Sequence, residues 1–346
     1  MKTTAAILVE TAKPLELWDI EIPSLRSGQV LVEVVFSGAC RTQVMEAWGM
    51  KGEDKWLPHC LGHEGVGRVL ETGADVTRVK PGDLVVMSWL KAEGIEAGGA
   101  KYTCNGKVVN AGAVTSFQKL AVCSENRLSP LPQGVPADHA IMLGCALPTG
   151  YGCVVNTGRA RAGESIAVFG AGGIGQSAIM TAVALGLAPV IAVDVAEDKL
   201  QMAKAFGARL LINPTSDDVL AAIKSATNGK GVDLAVEATG QPSIMAMALE
   251  SVRAQGGRAV IAGNARMGEE LRISPGLLNQ GKSLLGTWGG DSVPDRDFPK
   301  IAALMAAKKI DVAPLLTKRY GLGGINAALG DLKDGRVGRP VIDMSL

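Results

Sequence analysis

Aromatic residues are scarce in this sequence: tryptophan, tyrosine and phenylalanine together make up only 4% of the chain. An excess of either charge is also missing, because 35 basic and 34 acidic residues leave a net charge of +1. Proteins that bind nucleic acids normally carry a basic surface or stacking aromatics. The composition therefore predicts no nucleic-acid partner and no attraction to an anionic membrane.

Long uninterrupted apolar segments are missing as well. The apolar run near the N-terminus is too short for a secretory signal, and Glu10 follows it directly. Residues 166–193 carry no charge, but glycines and Pro189 interrupt any helix of the roughly 20 residues that a membrane span needs. We therefore expect a cytoplasmic protein without membrane contact. Its six cysteines are expected to serve metal or thiol chemistry rather than disulfides.

The first part of the chain has the pattern of a β-rich domain. Short apolar runs alternate with turns that contain glycine and proline, which predicts a compact, partly open barrel. The polar, glycine-rich residues 91–112 are predicted to form a surface loop or lobe. The predicted strands are 5–10, 29–36, 65–72, 83–88, 117–123 and 127–131, followed by a helix at 136–143.

From residue 165 onward strand and helix patterns alternate, which predicts an α/β domain with a six-stranded parallel sheet. The strands are expected at 166–169, 190–193, 209–212, 232–237, 258–262 and 282–287, and the helices at 176–187, 199–206, 217–227, 243–253 and 298–308. Residues 339–344 are expected to return as a strand to the first domain. The predicted boundaries are 1–147 and 288–346 for the β-rich domain and 148–287 for the α/β domain.

Gly170, Gly172 and Gly175 form a G-x-G-x-x-G motif between the first α/β strand and the helix that follows. The first glycine permits a tight turn, the second lets backbone N–H groups approach a pyrophosphate, and the third allows close helix–strand packing. The next strand ends at Asp194, about 20 residues further on, where a carboxylate accepts hydrogen bonds from the adenosine ribose and repels a 2′-phosphate. The motif predicts a Rossmann fold, a doubly wound parallel sheet, that binds NAD rather than NADP.

Two cysteines and one histidine lie in three separate glycine-containing segments: Cys40, His63 and Cys145. Two thiolates and one imidazole form a three-ligand zinc set in which the thiolates neutralise the charge of Zn²⁺. The fourth tetrahedral position stays open, as in a catalytic rather than a structural zinc site.

These motifs resemble those of the zinc-dependent medium-chain alcohol dehydrogenases, and the similarity extends over nearly the whole chain. It is strongest toward the class III, glutathione-dependent formaldehyde dehydrogenase branch, on residues 102–107, 112–117, 149–152 and 155–157. The resemblance implies a GroES-like catalytic domain, a Rossmann domain and an active site in the cleft between them. It also implies one catalytic zinc ion per subunit, NAD(H) as cofactor and an alcohol or carbonyl compound as substrate.

The resemblance further assigns individual roles. Cys40, His63 and Cys145 are implied to be the zinc ligands, and Glu64 the acid behind the metal that can approach it during ligand exchange. Thr42 is implied to receive the alcohol proton. The implied cofactor-binding residues are Arg41 and Arg339 at the pyrophosphate, Asp194 and Lys199 at the ribose, Thr149 and Ile174 at the nicotinamide, and Gly170, Gly172, Gly173 and Gly175 in the turn.

Several features depart from the family pattern. Residues 88–100 contain no cysteine and Cys104 stands alone, so no structural zinc is expected. The lobe is also short, which argues against a glutathione adduct as substrate. Met45 and Glu46 occupy the place of a proton-relay histidine, so the proton is expected to leave to water or to Glu46. Gln43 replaces an aspartate that orients the zinc-bound histidine, and we expect it to accept the same hydrogen bond without a charge.

The remaining cysteines, histidines and tryptophans lack such context. Cys60, Cys104, Cys123 and Cys153 are expected to be small core residues. His59 and His139 are expected to be surface or capping residues. Trp18, Trp48 and Trp56 are expected to anchor packing, with Trp48 and Trp56 as alternative lining for a substrate pocket that Trp89 is implied to narrow.

The predicted function is the reversible oxidation of an alcohol to an aldehyde or ketone by hydride transfer to NAD⁺. Two alternatives stay open: a zinc-free quinone or enoyl reductase of the same superfamily, and a dinucleotide-binding protein without turnover. Residues 281–290 resemble the family's dimer-forming edge, which implies a homodimer, with a tetramer as the alternative.

Overall fold

The computed structural model describes residues 1–346, which divide into two compact units. The first unit comprises Met1–Cys145, Val293–Ala302 and Val312–Leu346, and the second comprises Ala146–Ser292 and Ala303–Asp311. No single helix is long and apolar enough to cross a membrane, although one bent pair of short helices, 137–144 with 146–157, passes that test by length and composition.

Eighteen strands and ten α-helices make up the regular structure. The strands are β1 (Lys2–Leu8), β2 (Glu16–Glu21), β3 (Gln29–Gly38), β4 (His59–Cys60), β5 (Glu64–Thr72), β6 (Leu84–Ser88), β7 (Lys101–Cys104), β8 (Lys107–Asn110), β9 (Leu120–Ser124), β10 (Leu128–Pro130), β11 (Ile166–Phe169), β12 (Val190–Val193), β13 (Leu210–Ile212), β14 (Leu234–Glu237), β15 (Arg258–Ile261), β16 (Ser283–Gly286), β17 (Lys318–Tyr320) and β18 (Pro340–Asp343). The helices are α1 (Arg41–Ala47), α2 (Ala137–Ala140), α3 (Ala146–Gly152), α4 (Gly173–Ala184), α5 (Glu197–Ala205), α6 (Val219–Ala226), α7 (Pro242–Ser251), α8 (Pro275–Asn279), α9 (Pro294–Ala306) and α10 (Ile325–Lys333).

The first unit combines a barrel with an open sheet. Five strands close the barrel in the order β1-β2-β7-β8-β4. A seven-stranded sheet runs β10-β6-β5-β3-β18-β17, with β9 also paired to β3. Strand β18 pairs with β3 in antiparallel register, Val341 opposite Gly38. The predicted return of the C-terminal strand to the first unit is therefore confirmed.

The segment predicted as a surface loop, 91–112, contains a β-hairpin, so that prediction is wrong for residues 101–110. Strands β7 and β8 pair across Asn105 and Gly106, whose φ angles are 49° and 78°. Two consecutive left-handed residues match the two-residue hairpin turn that Asn-Gly favours. Tyr102 on β7 is completely buried and receives a hydrogen bond from the Val122 backbone N–H at 2.8 Å, which explains why this polar segment is ordered against the core.

The second unit is a six-stranded parallel sheet in the order β13-β12-β11-β14-β15-β16, as predicted. Strand β11 is buried on both faces. Ile166 and Val168 pack in one core cluster, and Ala167 and Phe169 pack in another. Strands buried on both faces are continuous apolar runs, and this is why the sequence located all six to within about two residues of their observed ends.

Candidate metal centre and nucleotide-binding turn

Each of the three predicted ligands belongs to the first unit and lies directly before a regular element. Cys40 immediately precedes α1, His63 immediately precedes β5, and Cys145 is the last residue before α3. Side chains at such ends converge where the sheet and the following turns meet. Strand pairing between β3 and β5 brings the first two segments together, with Ser37 opposite Gly65.

The three side chains meet at one point. One ligand atom from each of Cys40, His63 and Cys145 lies within 4.8 Å of the other two. The two Sγ atoms are 3.8 Å apart, far longer than a disulfide. Two thiolates bound tetrahedrally at about 2.3 Å from zinc would be about 3.8 Å apart. His63 Nε2 is buried and has no hydrogen-bond partner, so the donor set fits a zinc ion.

The pKa values of the two thiols are shifted in opposite directions. The hydrogen bond from Cys145 holds the pKa of Cys40 well below its usual value against the effect of burial, with Arg339 and His63 acting in the same direction. The same hydrogen bond, with burial, raises the pKa of Cys145. Cys40 is therefore the thiolate of the pair, at the N-terminus of α1, where a negative charge is favoured.

Glu64 and Arg339 form a buried ion pair next to this centre. Arg339 Nη1 donates to Glu64 Oε1 at 2.8 Å and also to the Ala39 carbonyl at 3.2 Å. Burial raises the pKa of Glu64, and Arg339 opposes that rise. A Cβ added to Gly38 or to Gly144 would lie 2.6 Å from an atom of Glu64. The Glu64 side chain therefore fits between Gly38 and Gly144 only because neither residue has a Cβ atom.

Gln43 contacts His63, but not in the way that the sequence predicted. Its Oε1 accepts a hydrogen bond from the Cys40 backbone N–H at 2.9 Å. Its Nε2, a donor, is therefore the atom that faces His63 Nδ1. The prediction that Gln43 accepts the histidine's hydrogen bond does not match this arrangement, because the helix N-terminus already occupies the only acceptor atom of the amide.

The two residues that follow Cys40 have different surroundings. Thr42 Oγ1 lies 3.8 Å from Cys40 Sγ, which brings a hydroxyl next to the centre. Arg41 is exposed, and its Nη1 donates to the Lys333 carbonyl at 3.3 Å. The pyrophosphate role of Arg41 and Arg339 stays a prediction, and Arg339 already has Glu64 and Ala39 as partners.

The glycine-rich turn of the second unit has the expected geometry. Gly170 has a φ of 89°, and a Cβ on Gly175 would lie 1.8 Å from the Gly170 carbonyl oxygen. Gly172 is different, because a Cβ there would meet no protein atom within 4 Å. No packing within the chain therefore requires glycine at this position, in contrast to Gly175.

Asp194 stabilises this turn through hydrogen bonds to the backbone. Its Oδ2 accepts from the Ala171 N–H at 2.7 Å and its Oδ1 from the Ala196 N–H at 2.9 Å. Gln176, which the sequence analysis did not single out, holds the turn from the other side, with Nε2 donating to the carbonyls of Ala171 and Lys199. A lone buried glutamine in a helix carries no pattern that would have revealed this role.

The remaining predicted site residues are accounted for individually. Thr149 is buried on α3, Gly173 and Ile174 begin α4 half-buried, and Lys199 is half-buried on α5. Trp89 and Trp48 are half-buried, and Lys333 Nζ lies 4.8 Å from the Trp48 ring centre. Trp56 is 69% exposed, so the prediction that it anchors packing is wrong. A substrate-pocket role for the tryptophans stays a prediction.

His59, predicted to be a surface or capping residue, is only 7% exposed, so that prediction is wrong. Its Nδ1 lies 3.0 Å from the Cys60 carbonyl oxygen and its Nε2 2.8 Å from Asp54 Oδ2. Cys60, Cys123 and Cys153 are buried, as predicted, and Cys104 is half-buried. Burial raises the pKa of the Cys123 and Cys153 thiols to about 12, which makes them unreactive at neutral pH.

A β-barrel unit with a cysteine–histidine centre and a Rossmann unit with a glycine-rich turn together define a zinc-binding dehydrogenase of the two-domain type. Family models agree: the model for zinc-binding dehydrogenases matches residues 173–307, and the model for the alcohol dehydrogenase GroES-like domain matches residues 26–133. The chain belongs to the zinc-dependent medium-chain dehydrogenase/reductase family and is an oxidoreductase of the alcohol dehydrogenase type.

Similar proteins extend over nearly the whole chain. The S-(hydroxymethyl)glutathione dehydrogenase of Synechocystis sp. is 30% identical over 99% of this chain and all of its own length. A solved alcohol dehydrogenase zinc-binding domain protein from Burkholderia ambifaria is 30% identical, with a TM-score of 0.92 over 99% of both chains. Benzyl alcohol dehydrogenase from Acinetobacter calcoaceticus is 29% identical, with a TM-score of 0.90 over 99% of both chains. The predicted family and fold class are confirmed.

Proposed function

We propose that this protein is a zinc-dependent alcohol dehydrogenase that reversibly oxidises an alcohol to an aldehyde or ketone, with NAD⁺ as the hydride acceptor. The observation that carries the proposal is the meeting of Cys40, His63 and Cys145 around a buried, unpartnered imidazole nitrogen. A bound zinc ion would supply a Lewis acid that polarises the substrate oxygen.

Cys40, His63 and Cys145 would hold that ion, and the neighbouring residues set the charge around it. The Cys40 thiolate is balanced by Arg339, which is in turn paired with Glu64. Glu64 Oε2 is buried without a partner, so this carboxylate keeps a free acceptor atom behind the centre. In this proposal Glu64 approaches the metal site when a ligand leaves it.

Thr42 handles the proton in the proposed reaction. Its hydroxyl both donates and accepts hydrogen bonds, and its position beside Cys40 suits it to take a proton from an alcohol. Met45, at the place of the family's relay histidine, carries no titratable group. In this proposal Thr42 takes up the alcohol proton, and the proton leaves toward water or Glu46.

The second unit would bind NAD(H) through the turn at Gly170–Gly175, the N-terminus of α4 and Asp194. Exposed N–H groups at a helix N-terminus bind phosphates, and the open space at Gly172 leaves room for one. Hydride transfer requires the nicotinamide ring at contact distance from the carbinol carbon. Thr149 and Ile174 hold that ring in this proposal, and Arg41, Arg339 and Lys199 serve the phosphates and ribose.

We also propose one zinc ion per subunit in this centre, with no structural zinc in the segment 88–112, and a substrate without glutathione. The homodimer is proposed through β16, the last strand of the parallel sheet, which pairs on one side only. A cytoplasmic location is also proposed, because a cysteine set suited to metal and thiol chemistry fits a reducing compartment.

The test is an alcohol-panel assay with NAD⁺ and NADP⁺ on protein of known zinc content, using Cys40→Ser and the matched control Cys104→Ser. Cys104 is the half-buried cysteine outside the centre. We expect Cys40→Ser to abolish turnover and to lower zinc content while NADH affinity, measured by fluorescence titration, stays unchanged. Cys104→Ser should retain all three properties.

Two outcomes would replace the proposal. Full turnover of a conjugated carbonyl by zinc-free protein would favour the quinone or enoyl reductase. NADH binding without oxidation of any alcohol by zinc-loaded protein would favour a dinucleotide-binding protein without turnover.

A further inference from the structure

A second group of metal-ligating side chains lies in the first unit, outside the centre described above. Glu46, Asp54 and His59 each present one ligand atom within 4.8 Å of the other two. They come from three separate segments: α1, the loop that follows it, and β4. Glu46 and Asp54 border a cavity of about 260 Å³ that Lys51 and Trp56 also line. The proposed dehydrogenase reaction uses neither Asp54 nor His59.

The hydrogen bonding of His59 gives the group its chemical character. A carbonyl oxygen only accepts, so the contact between His59 Nδ1 and the Cys60 carbonyl places the ring proton on Nδ1. The lone pair of a neutral ring is then on Nε2, which faces Asp54 Oδ2 at 2.8 Å. Two acceptors at this distance require a cation between them, either a proton or a metal ion. Histidines that ligate metals are typically fixed by such a carbonyl contact.

The two carboxylates are arranged to complete such a site. Asp54 Oδ1 accepts from the Trp56 backbone N–H at 2.9 Å, which fixes the carboxylate with Oδ2 toward His59. Glu46 Oε2 is 3.3 Å from Lys51 Nζ, and the lysine side chain is 44% exposed. An exposed ion pair of this kind is weak, so Lys51 moves aside at little cost and leaves Glu46 as a third ligand.

We propose that Glu46, Asp54 and His59 form a second zinc site, with water from the cavity in the fourth position. One imidazole and two carboxylates suit zinc better than magnesium or calcium, which take oxygen ligands. Binding would widen the His59–Asp54 contact by about 0.6 Å, since two ligand atoms bound tetrahedrally at about 2.1 Å from an ion lie about 3.4 Å apart. The bound ion ties α1 to the loop and to β4, and its role is structural.

The number of ions per chain tests this proposal. Metal-free protein is reloaded with excess Zn²⁺, freed of unbound metal and analysed by mass spectrometry of the elements. We expect two ions per chain in the wild type, one in His59→Gln and one in Glu46→Gln. His139→Gln is the matched control, because the third histidine lies outside both clusters, and it should keep two. Equal zinc content in the wild type, His59→Gln and Glu46→Gln would overturn the proposal.

Cobalt separates this site from the thiolate centre. Co²⁺ at Cys40 and Cys145 gives a thiolate-to-metal charge-transfer absorption, whereas a site of nitrogen and oxygen ligands gives none. If the thiolate centre fails to bind, the wild type holds one ion without that absorption, and His59→Gln holds none.

The melting temperature of Cys40→Ser tests whether a metal ion or a proton lies between His59 and Asp54. If Zn²⁺ leaves that temperature unchanged, the two residues form a plain ion pair with a proton between them, and the proposal is overturned. We expect Zn²⁺ to raise the melting temperature of Cys40→Ser by several degrees. The same addition should not raise the melting temperature of Cys40→Ser/Glu46→Gln. Position 46 is only partly buried, so it tolerates the substitution.

Discussion

Arg339 Nη1 lies 2.8 Å from Glu64 Oε1, and the two residues are only 4% and 0% exposed. They are 275 positions apart in the chain, so this ion pair fastens the C-terminal strand region to the start of β5. The arginine of the pair also acts on Cys40 and lowers the pKa of that thiol. A buried pair of charges costs a great deal to separate, because the remaining charge is left without a partner or water.

Removal of the Arg339 charge alone should therefore destabilise the fold more than removal of both charges. Arg339→Met is expected to lower the free energy of unfolding by about 3–5 kcal/mol. Arg339→Met/Glu64→Gln should recover part of that loss, since no uncompensated charge stays buried. Denaturation in urea measures the free energy of unfolding of both variants. Lys2→Met, which removes a cation from an exposed pair with Glu21, should change little. A double variant less stable than Arg339→Met would contradict this account.

Gln43 provides a second prediction, because a zinc-ligating His63 needs an acceptor at Nδ1 and the wild-type amide presents a donor there. Glu at this position has two acceptor oxygens, one for the Cys40 N–H and one for the imidazole. We expect Gln43→Glu to raise zinc affinity about 10-fold, measured by competition with a chromophoric chelator. Gln133→Glu, which adds the same charge at an exposed position of the first unit, should not. Equal affinities for Gln43→Glu and the wild type would show that the orientation of Gln43 does not limit binding.

The elements that the sequence predicted well are those whose signal is local. Strands such as β11 are apolar on both faces, and the turn at Gly170–Gly175 needs glycine for steric reasons that can be read residue by residue. The sequence also identified Cys40, His63 and Cys145 as one set, but only their coordinates show that the three side chains meet.

The features that were missed depend on contacts between distant residues. The burial of His59 follows from the pairing of β4 with β1 and β8 and from the contact with Asp54, neither of which has a sequence pattern. Helix α1 is seven residues long, too short for a visible helical period. The hairpin at 101–110 is a different case, since Asn105-Gly106 is a strong turn signal. It was overlooked because the polar composition around it favoured a loop.

The turn glycines should respond oppositely to alanine. A Cβ at Gly175 would collide with the Gly170 carbonyl, so Gly175→Ala is expected to destabilise the second unit by at least about 1–3 kcal/mol. Gly172→Ala meets no protein atom and should leave the melting temperature unchanged. It should nevertheless weaken NADH binding about 10-fold or more, because the methyl group occupies the space proposed for the pyrophosphate. Calorimetry and NADH fluorescence titration measure the two effects, and unchanged NADH affinity in Gly172→Ala would contradict the proposed binding mode.

Asp233 should make the second unit's stability depend on pH. Partial burial acts to raise its pKa, but hydrogen bonds from Ser165 and Arg253 outweigh this, and the pKa is lowered. A carboxylate with a lowered folded-state pKa adds stability above its unfolded pKa, and this is lost as the pH falls through the folded value.

Asp233→Asn is accordingly expected to lower the free energy of unfolding by about 1–3 kcal/mol at neutral pH. The substitution disturbs the hydrogen bonds to Ser165 and Arg253, whose lengths are 2.6–2.9 Å. The difference in free energy of unfolding between Asp233→Asn and the wild type should be constant above about pH 5 and become smaller below about pH 4. Urea denaturation across this range measures it. Asp198→Asn, an exposed acid on α5, is the control, and a difference independent of pH would exclude the ion pair as its source.

Asp194 has two functions in the proposed NAD site, and two substitutions separate them. Its negative charge disfavours a 2′-phosphate, while its oxygens hold the backbone N–H groups of Ala171 and Ala196. Asp194→Gly removes both, so we expect weaker NADH binding and a lower melting temperature together with a relaxed preference against NADPH. Asp194→Asn removes the charge and keeps one acceptor oxygen, so it should relax the preference with a smaller loss of stability. The ratio of NADPH to NADH dissociation constants measures the charge effect, and it should fall about 10-fold or more in both variants because each lacks the carboxylate. If only Asp194→Gly changes that ratio, the discrimination comes from the shape of the turn rather than from the charge.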